Sequence, residues 1–226
     1  MKILNPIYNS DNYYICDFLL PIGIHCRPAM QLRANNLRFF SSPLDWMGYY
    51  PLDTIIHLHK TNYADFFDEY EVDKDKDGAK GMFRVTDTHN HILSIHFFRK
   101  DRDIEESQKE LKTIMQRRAD RLVEYLKNAN SIVFVAERTE TKDAMIKFLN
   151  LFSAIYHNLN IRLINVIHDE TMDLVSYKEE LIMSDDKISF IEYTFNDTKD
   201  GRDVPIGNEL VWRKVLSHYK LNNVCK

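Results

Sequence analysis

Two kinds of apolar spacing alternate along the C-terminal half of the chain. From Asp103 to Asn128 the apolar residues Ile104, Leu111, Ile114, Met115, Leu122, Val123 and Leu126 form a stripe at helical spacing. Asp103 with Glu106 makes a capping pair at its start. Residues 131–136 (SIVFVA) are a short β-branched run, the pattern of a buried strand. Residues 141–157 return to helical spacing, with Ala144, Phe148, Leu149, Phe152 and Ile155 on one face. Residues 161–167 (IRLINVI) and 187–195 (KISFIEYTF) predict two further strands, and 208–219 a last helix. In the N-terminal part, 15–24 and 93–98 (LSIHFF) read as strands. Residues 28–36 (PAMQLRANN) read as a helix with proline in its first turn. Alternation of strand and helix implies parallel strands covered by helices. The expected fold is α/β, with a central, mostly parallel sheet of about five strands and helices on both faces.

One compositional break interrupts this grammar. Residues 69–81 (EYEVDKDKDGAKG) are polar and hold two of the six glycines, which predicts an exposed loop within a single domain spanning 1–226. Residues 73–78 (DKDKDG) match the first half of a calcium loop. The twelfth position, Arg84, is not the required glutamate, so an EF-hand is excluded.

Composition narrows the function classes. Six glycines never form GxGxxG or GxxxxGK, which excludes a P-loop and a standard dinucleotide fingerprint. Three cysteines (Cys16, Cys26, Cys225) without CxxC spacing argue against a zinc ribbon and a disulfide-stapled secreted domain. The net charge of −4, with bases and acids interleaved, argues against nucleic acid as partner. No signal-peptide pattern is seen at the N-terminus, and no stretch approaches the ~18 apolar residues of a membrane span. A cytoplasmic protein without a cofactor is expected.

The sharpest local feature is residues 23–28, GIHCRP. A strand ends, Gly23 permits a turn, and Cys26 stands at the mouth of a helix. In open α/β sheets, sites form at the C-terminal ends of strands. A helix N-terminus stabilises an anion, which makes a thiol there more nucleophilic and offers N–H groups to an oxyanion. A nucleophilic cysteine needs a base. His96 at a strand end is the first candidate, with His91, His89 and His25 as alternatives, and Asp45 is a candidate orienter. His25 and Arg27 add polar and cationic neighbours; Gln31 and Arg33 follow on the helix as binders of an anionic or carbonyl group. Cys16, in a strand, and Cys225, in the tail, read as incidental. The pairs His57-Leu-His59 and His89-Asn-His91 have strand spacing that, with a carboxylate, suits zinc. Short motifs of this kind are common without a metal, and the preferred reading assigns none.

Residues 21–47 resemble the opening of a mostly bacterial family labelled as papain-like cysteine peptidases. The matching positions are Gly23, Cys26, Ala29, Gln31, Leu32, Arg33, Leu37, Arg38, Ser42, Pro43, Asp45 and Trp46. Looser matches are residues 95–98 (IHFF), the arginines Arg117, Arg118 and Arg121, and the strand 132–135. The resemblance implies a cysteine-dependent hydrolase with Cys26, His96 and Asp45 as catalytic residues. His25, Arg27, Gln31, Arg33, Trp46 and His91 are the expected substrate-binding residues. It also brings a papain-like α+β fold into view as the alternative architecture. The sequence departs from true papain enzymes: no tryptophan follows Cys26, and no glutamine lies a few residues upstream. Two other functions are consistent with the same residues. One is an acyltransferase linked to surface polysaccharide biosynthesis; the other is a non-catalytic module using tyrosines such as Tyr13, Tyr14, Tyr49 and Tyr50 to bind a saccharide or partner. The substrate classes in view are therefore peptide, acyl and saccharide.

Overall fold

The computed structural model describes residues 13–222; Cys225 and the N-terminal segment searched for a signal peptide lie outside them, apart from Tyr13 and Tyr14. In chain order the elements are β1 (Tyr14–Cys16), β2 (Phe18–Pro21), α1 (Arg27–Ala34), α2 (Leu52–Thr61), β3 (Tyr70–Asp77), β4 (Phe83–Asp87), β5 (Ile92–Ser94), α3 (Ile104–Asn128), β6 (Ser131–Ala136), α4 (Lys142–Ile155), β7 (Asn160–His168), β8 (Lys178–Ser184), β9 (Ile188–Phe195), α5 (Glu209–Leu216) and β10 (Tyr219–Leu221). They fall into two compact units. The first takes the described residues of Met1–Gly23, Arg27–Phe40 and Ala129–Lys226; the second is Ile24–Cys26 with Ser41–Asn128.

The first unit is built on a five-stranded sheet in the order β2-β6-β7-β9-β8. The first four strands are parallel and β8 closes one edge antiparallel. The fold is thus α/β with a mostly parallel sheet, as the apolar runs imply. Val133 and Val135 of β6, Ile164 and Val166 of β7, and Ile191, Tyr193 and Phe195 of β9 share one core with Leu32 of α1 and with Val211, Trp212 and Val215 of α5. Phe134 packs instead on Phe148 and Phe152 of α4, with ring centroids 5.3 and 4.9 Å apart. Thr141 and Asn208 cap α4 and α5 by accepting from Ala144 N and Val211 N, which is why both helices start where they do.

The expected strand over 15–24 is two strands, because the chain changes partner at Asp17. β1 pairs with β10, and β2 pairs with β6. The buried Asp17 carboxylate accepts from Asn130 N (2.7 Å) and Ser131 N (3.0 Å), which fills the break in the ladder.

The second unit holds α2, α3 and a three-stranded antiparallel sheet, β3-β4-β5. Asp103 Oδ1 accepts from Glu105 N and Glu106 N, capping α3 one residue before its first helical position. Three expectations change here. The polar stretch 69–81 carries strand β3 rather than a plain loop. Its side chains stay largely exposed, since only backbone pairing with β4 recruits it. Residues 93–98 do not form one strand of the parallel sheet. β5 ends at Ser94, lies in the antiparallel sheet, and leaves His96 in a bend. The segment around His57-Leu-His59 is helical rather than extended, because Leu52, Ile55, Ile56 and His59 form one buried stripe at helical spacing. Among the described residues, no helix is long and apolar enough to cross a membrane.

His59 gives this unit a pH signature. Burial pushes its pKa down to about 3, and the Tyr63 hydroxyl lies 3.4 Å from Nε2, placed to donate to the neutral ring. A histidine held neutral in the folded state lets the unfolded chain take up the proton first as pH falls below 6.5. Stability is therefore lost from about pH 6.5 down to 3, by up to about 1.4 kcal/mol per pH unit. Urea unfolding at a series of pH values should show this slope in the native chain and a flatter one in His59→Gln.

Candidate active site

Cys26 closes a bend of residues 24–26 and directly precedes Arg27, the first residue of α1. It is partly exposed, whereas Cys16 is fully buried. Burial, aided by the charge of Asp17, pushes the Cys16 thiol up to about 12, so this sulfur is chemically inert at neutral pH. The glycines with positive φ are Gly81, Gly201 and Gly207, so the turn at Gly23 does not rely on that freedom.

His96 and Asp45 fall in the same unit as Cys26. The segment containing Asp45 is a turn closed by Ser42, whose hydroxyl donates to Asp45 Oδ1 at 2.6 Å. Arg121 of α3 donates to the carbonyl of Ser41 at 2.9 Å and pins the start of this turn. Its far end runs beside β5: Gly48 N donates to Leu93 O, Leu93 N to Tyr49 O, and Met47 bridges Ser94. The pairing brings Trp46 edge-on to His96, with ring centroids 6.4 Å apart and planes at 82°. Burial lowers the His96 pKa, so its imidazole is neutral at pH 7 and able to accept a proton. His96 also lines a pocket of about 190 Å³ with Phe97, Arg102, Glu110 and Ile114. The motif residues Ser42, Asp45, Trp46, His96 and Arg121 thus form one connected arrangement, although they span 80 positions of sequence.

The residues expected to bind substrate divide sharply. His25, Arg33 and His91 are exposed, and Trp46 is partly exposed. Gln31 is fully buried, and its amide donates to Ile206 O at 2.6 Å, a structural bond of the first unit. Arg27 is not available to an anion. Its Nη1 donates to Glu137 (2.7 Å) and Asp197 (3.1 Å), its Nη2 to Asp203 (2.7 Å) and Val204 O (3.0 Å), and its Nε to Pro205 O (3.3 Å). All five N–H donors of a guanidinium are then used within the protein. Arg27, expected among the substrate-binding residues, forms a clamp between the first turn of α1, the end of β6 and the segment after β9.

That clamp is unbalanced in charge. Burial alone would lower the Arg27 pKa, but Glu137, Asp197 and Asp203 outweigh it and raise it. Burial, together with Asp197 and Asp203, pushes Glu137 up to about 7 against the pull of Arg27. Gly207 completes the packing: a Cβ there would collide with Asp197 Oδ1 and come within 2.9 Å of Arg27 Cδ. A second arginine holds the strand end itself. Arg138 is buried, pairs with Glu140, and donates to Ile22 O at 2.9 Å.

The sequence offered no local sign of Glu137, Asp197 or Asp203 as partners of Arg27, because they lie 110 to 176 residues away. The one hint was that Glu137 directly follows a buried strand, where ionisable side chains gather in α/β sheets.

A family model described as "Putative papain-like cysteine peptidase" matches residues 18–179, well over half of the chain. No curated protein and no solved structure matches.

Two outcomes follow from these contacts. Iodoacetamide at pH 7.5 should label Cys26 at least about 100-fold faster than Cys16, since the latter is buried and almost entirely protonated. Peptide mapping by mass spectrometry reads this, and equal labelling of the two would contradict it. Arg27→Gln should lower the unfolding free energy by about 3 kcal/mol, because it leaves Glu137 and Asp197 facing each other without their cation. Arg27→Lys should recover little, since one ammonium cannot reproduce the fork.

Proposed function

The chain belongs to that cysteine-peptidase family, and on this premise we propose that it is a cysteine-dependent hydrolase acting through Cys26, His96 and Asp45. The observation that carries the reading is the edge-on contact of Trp46 with His96. It brings the Asp45 turn to a histidine that burial keeps neutral. Cys26 belongs to the same unit and is the partly exposed cysteine of the two described.

The reaction is a two-step acyl transfer. The Cys26 sulfur attacks the substrate carbonyl carbon while its proton passes to His96. Backbone N–H groups at and after Cys26 hold the developing oxyanion. The tetrahedral intermediate collapses to a thioester as His96 returns the proton to the leaving group. Water, deprotonated by His96, then cleaves the thioester, releasing the acid and restoring the thiol. Asp45 is a positioning residue for His96, with Ser42 holding its carboxylate.

Hydrolysis is favoured over transfer from a coenzyme A-like donor. Arg99 and Arg102 line the His96 pocket, but Asp101 and Glu110 pair with them, so the pocket offers little net positive charge to a phosphate. For the sheet of the first unit, we infer helices on both faces. Phe134 meets α4, whereas its neighbours Val133 and Val135 join the core of α1 and α5.

Hydrolysis of peptide esters and thioesters by the full chain tests the reading. Cys26→Ala and His96→Ala should each lower kcat/KM by on the order of 10³-fold or more. Asp45→Asn should lower kcat with little change in KM. The lowered His96 pKa puts the acid limb of the kcat/KM profile below pH 6.5, with activity falling as His96 takes up a proton. Full activity in Cys26→Ala would overturn the assignment.

A further inference from the structure

Away from the proposed catalytic residues, the second unit gathers two imidazoles and a carboxylate. His57 Nε2 lies 2.5 Å and His89 Nε2 3.1 Å from the same oxygen, Asp65 Oδ2. The two rings sit with centroids 5.4 Å apart and planes at 64°. One ligand atom from each of the three residues lies within 4.8 Å of the others. The spacing of the histidines in sequence did not show this. One histidine from each His-X-His pair takes part, and the carboxylate comes from the turn between them.

The three side chains are held by a frame that reaches beyond them. His57 lies on α2, and Thr61, one turn later, donates to Asp65 Oδ1 at 3.3 Å. Asn62 and Tyr63 then take left-handed φ of 52° and 59°, which turns the chain back so that Asp65 returns to the His57 face. Left-handed backbone in non-glycine residues is costly and gathers where surrounding structure enforces it. Four of the six such residues described (Asn62, Tyr63, Phe67, His91) flank this cluster. The fully buried Asp87 accepts from His89 N, Asn90 N and Phe67 N, tying the β4–β5 turn to the segment after Asp65. Asn90 Nδ2 donates to Asp65 O at 3.1 Å, and Thr54 of α2 donates to Asn90 O at 2.7 Å. Outer bonds of this kind fix the orientation of first ligands in metal sites.

We propose that His57, Asp65 and His89 form a binding site for one divalent transition-metal ion, zinc in the first instance. Two neutral imidazoles and one carboxylate suit zinc or iron(II) and suit calcium or magnesium poorly. The side chains of His57 and His89 are 41% and 54% exposed, so solvent reaches the face opposite the protein ligands. Three protein ligands with water completing the shell is the open form of such a site.

Calorimetric titration of the full chain with zinc chloride tests this, on the native sequence and on Cys26→Ser to remove the partly exposed thiol of Cys26. The expected result is one zinc per chain in both backgrounds, no competition from magnesium or calcium, and a rise in melting temperature with zinc. Asp65→Asn, His57→Gln and His89→Gln should each weaken binding by more than about 100-fold, beyond what loss of an outer partner produces. Thr61→Val should weaken it by about 10-fold. All four positions are at least partly exposed, and circular dichroism will confirm that the variants fold. Cobalt(II) substitution gives a second readout, since ligand-field bands should be lost in Asp65→Asn. Failure of the native chain to bind zinc, or equal affinity in the three ligand variants, would overturn the proposal.

Discussion

The structure of the first unit turns on one guanidinium. Arg27 stands at the first position of α1 and reaches the end of β6 through Glu137 and the segment after β9 through Asp197. A helix of eight residues has little stability of its own. Its start is fixed by this charged clamp, and its body by Leu32 in the shared core. The two contacts differ in weight. The carboxylate of Asp197 is fully buried and that of Glu137 nearly so, whereas Asp203 is 85% exposed and adds little. Arg27, which the sequence offered as a substrate binder, uses its five N–H donors within the first unit.

The second unit solves a different problem, that of holding irregular chain in a defined path. Between its helices and strands the chain runs in turns and bends whose backbone groups lie outside regular pairing. Side chains hold several of them. Asp87 accepts from three backbone N–H groups, Ser42 and Asp45 close the turn before Trp46, and Arg121 holds the carbonyl of Ser41. An aromatic series, Phe66–Phe67–Phe98–Tyr70, packs beneath them. A buried carboxylate is costly unless it is bonded, and the three backbone N–H groups that meet Asp87 fix the path of the turn around it.

What the sequence revealed follows the same division. The parallel strands of the first unit were legible because burial on both faces leaves unbroken β-branched runs, as in residues 131–136. The helices α3 and α4 were legible from their stripes, and the start of α3 also from Asp103. β3 was not, because five of its eight residues are charged and exposed, and pairing alone makes it a strand. α2 was hidden by two histidines at alternate positions, one of which lies in the buried stripe. The motif carrying Cys26, Asp45 and Trp46 was visible as a resemblance, and His96 was named as base. The partners that give these residues their setting were not visible. Ser41 and Arg121 are 80 residues apart, as no periodicity can show.

The central claim is that His96 serves Cys26 as its base. The most direct test is the pH dependence of Cys26 alkylation in the native chain and in His96→Ala, followed by mass spectrometry. With the pair intact, the rate should reach its plateau well below the ordinary cysteine pKa of about 8.5, and the variant should titrate near that value. Superimposable profiles in the two proteins would contradict the account.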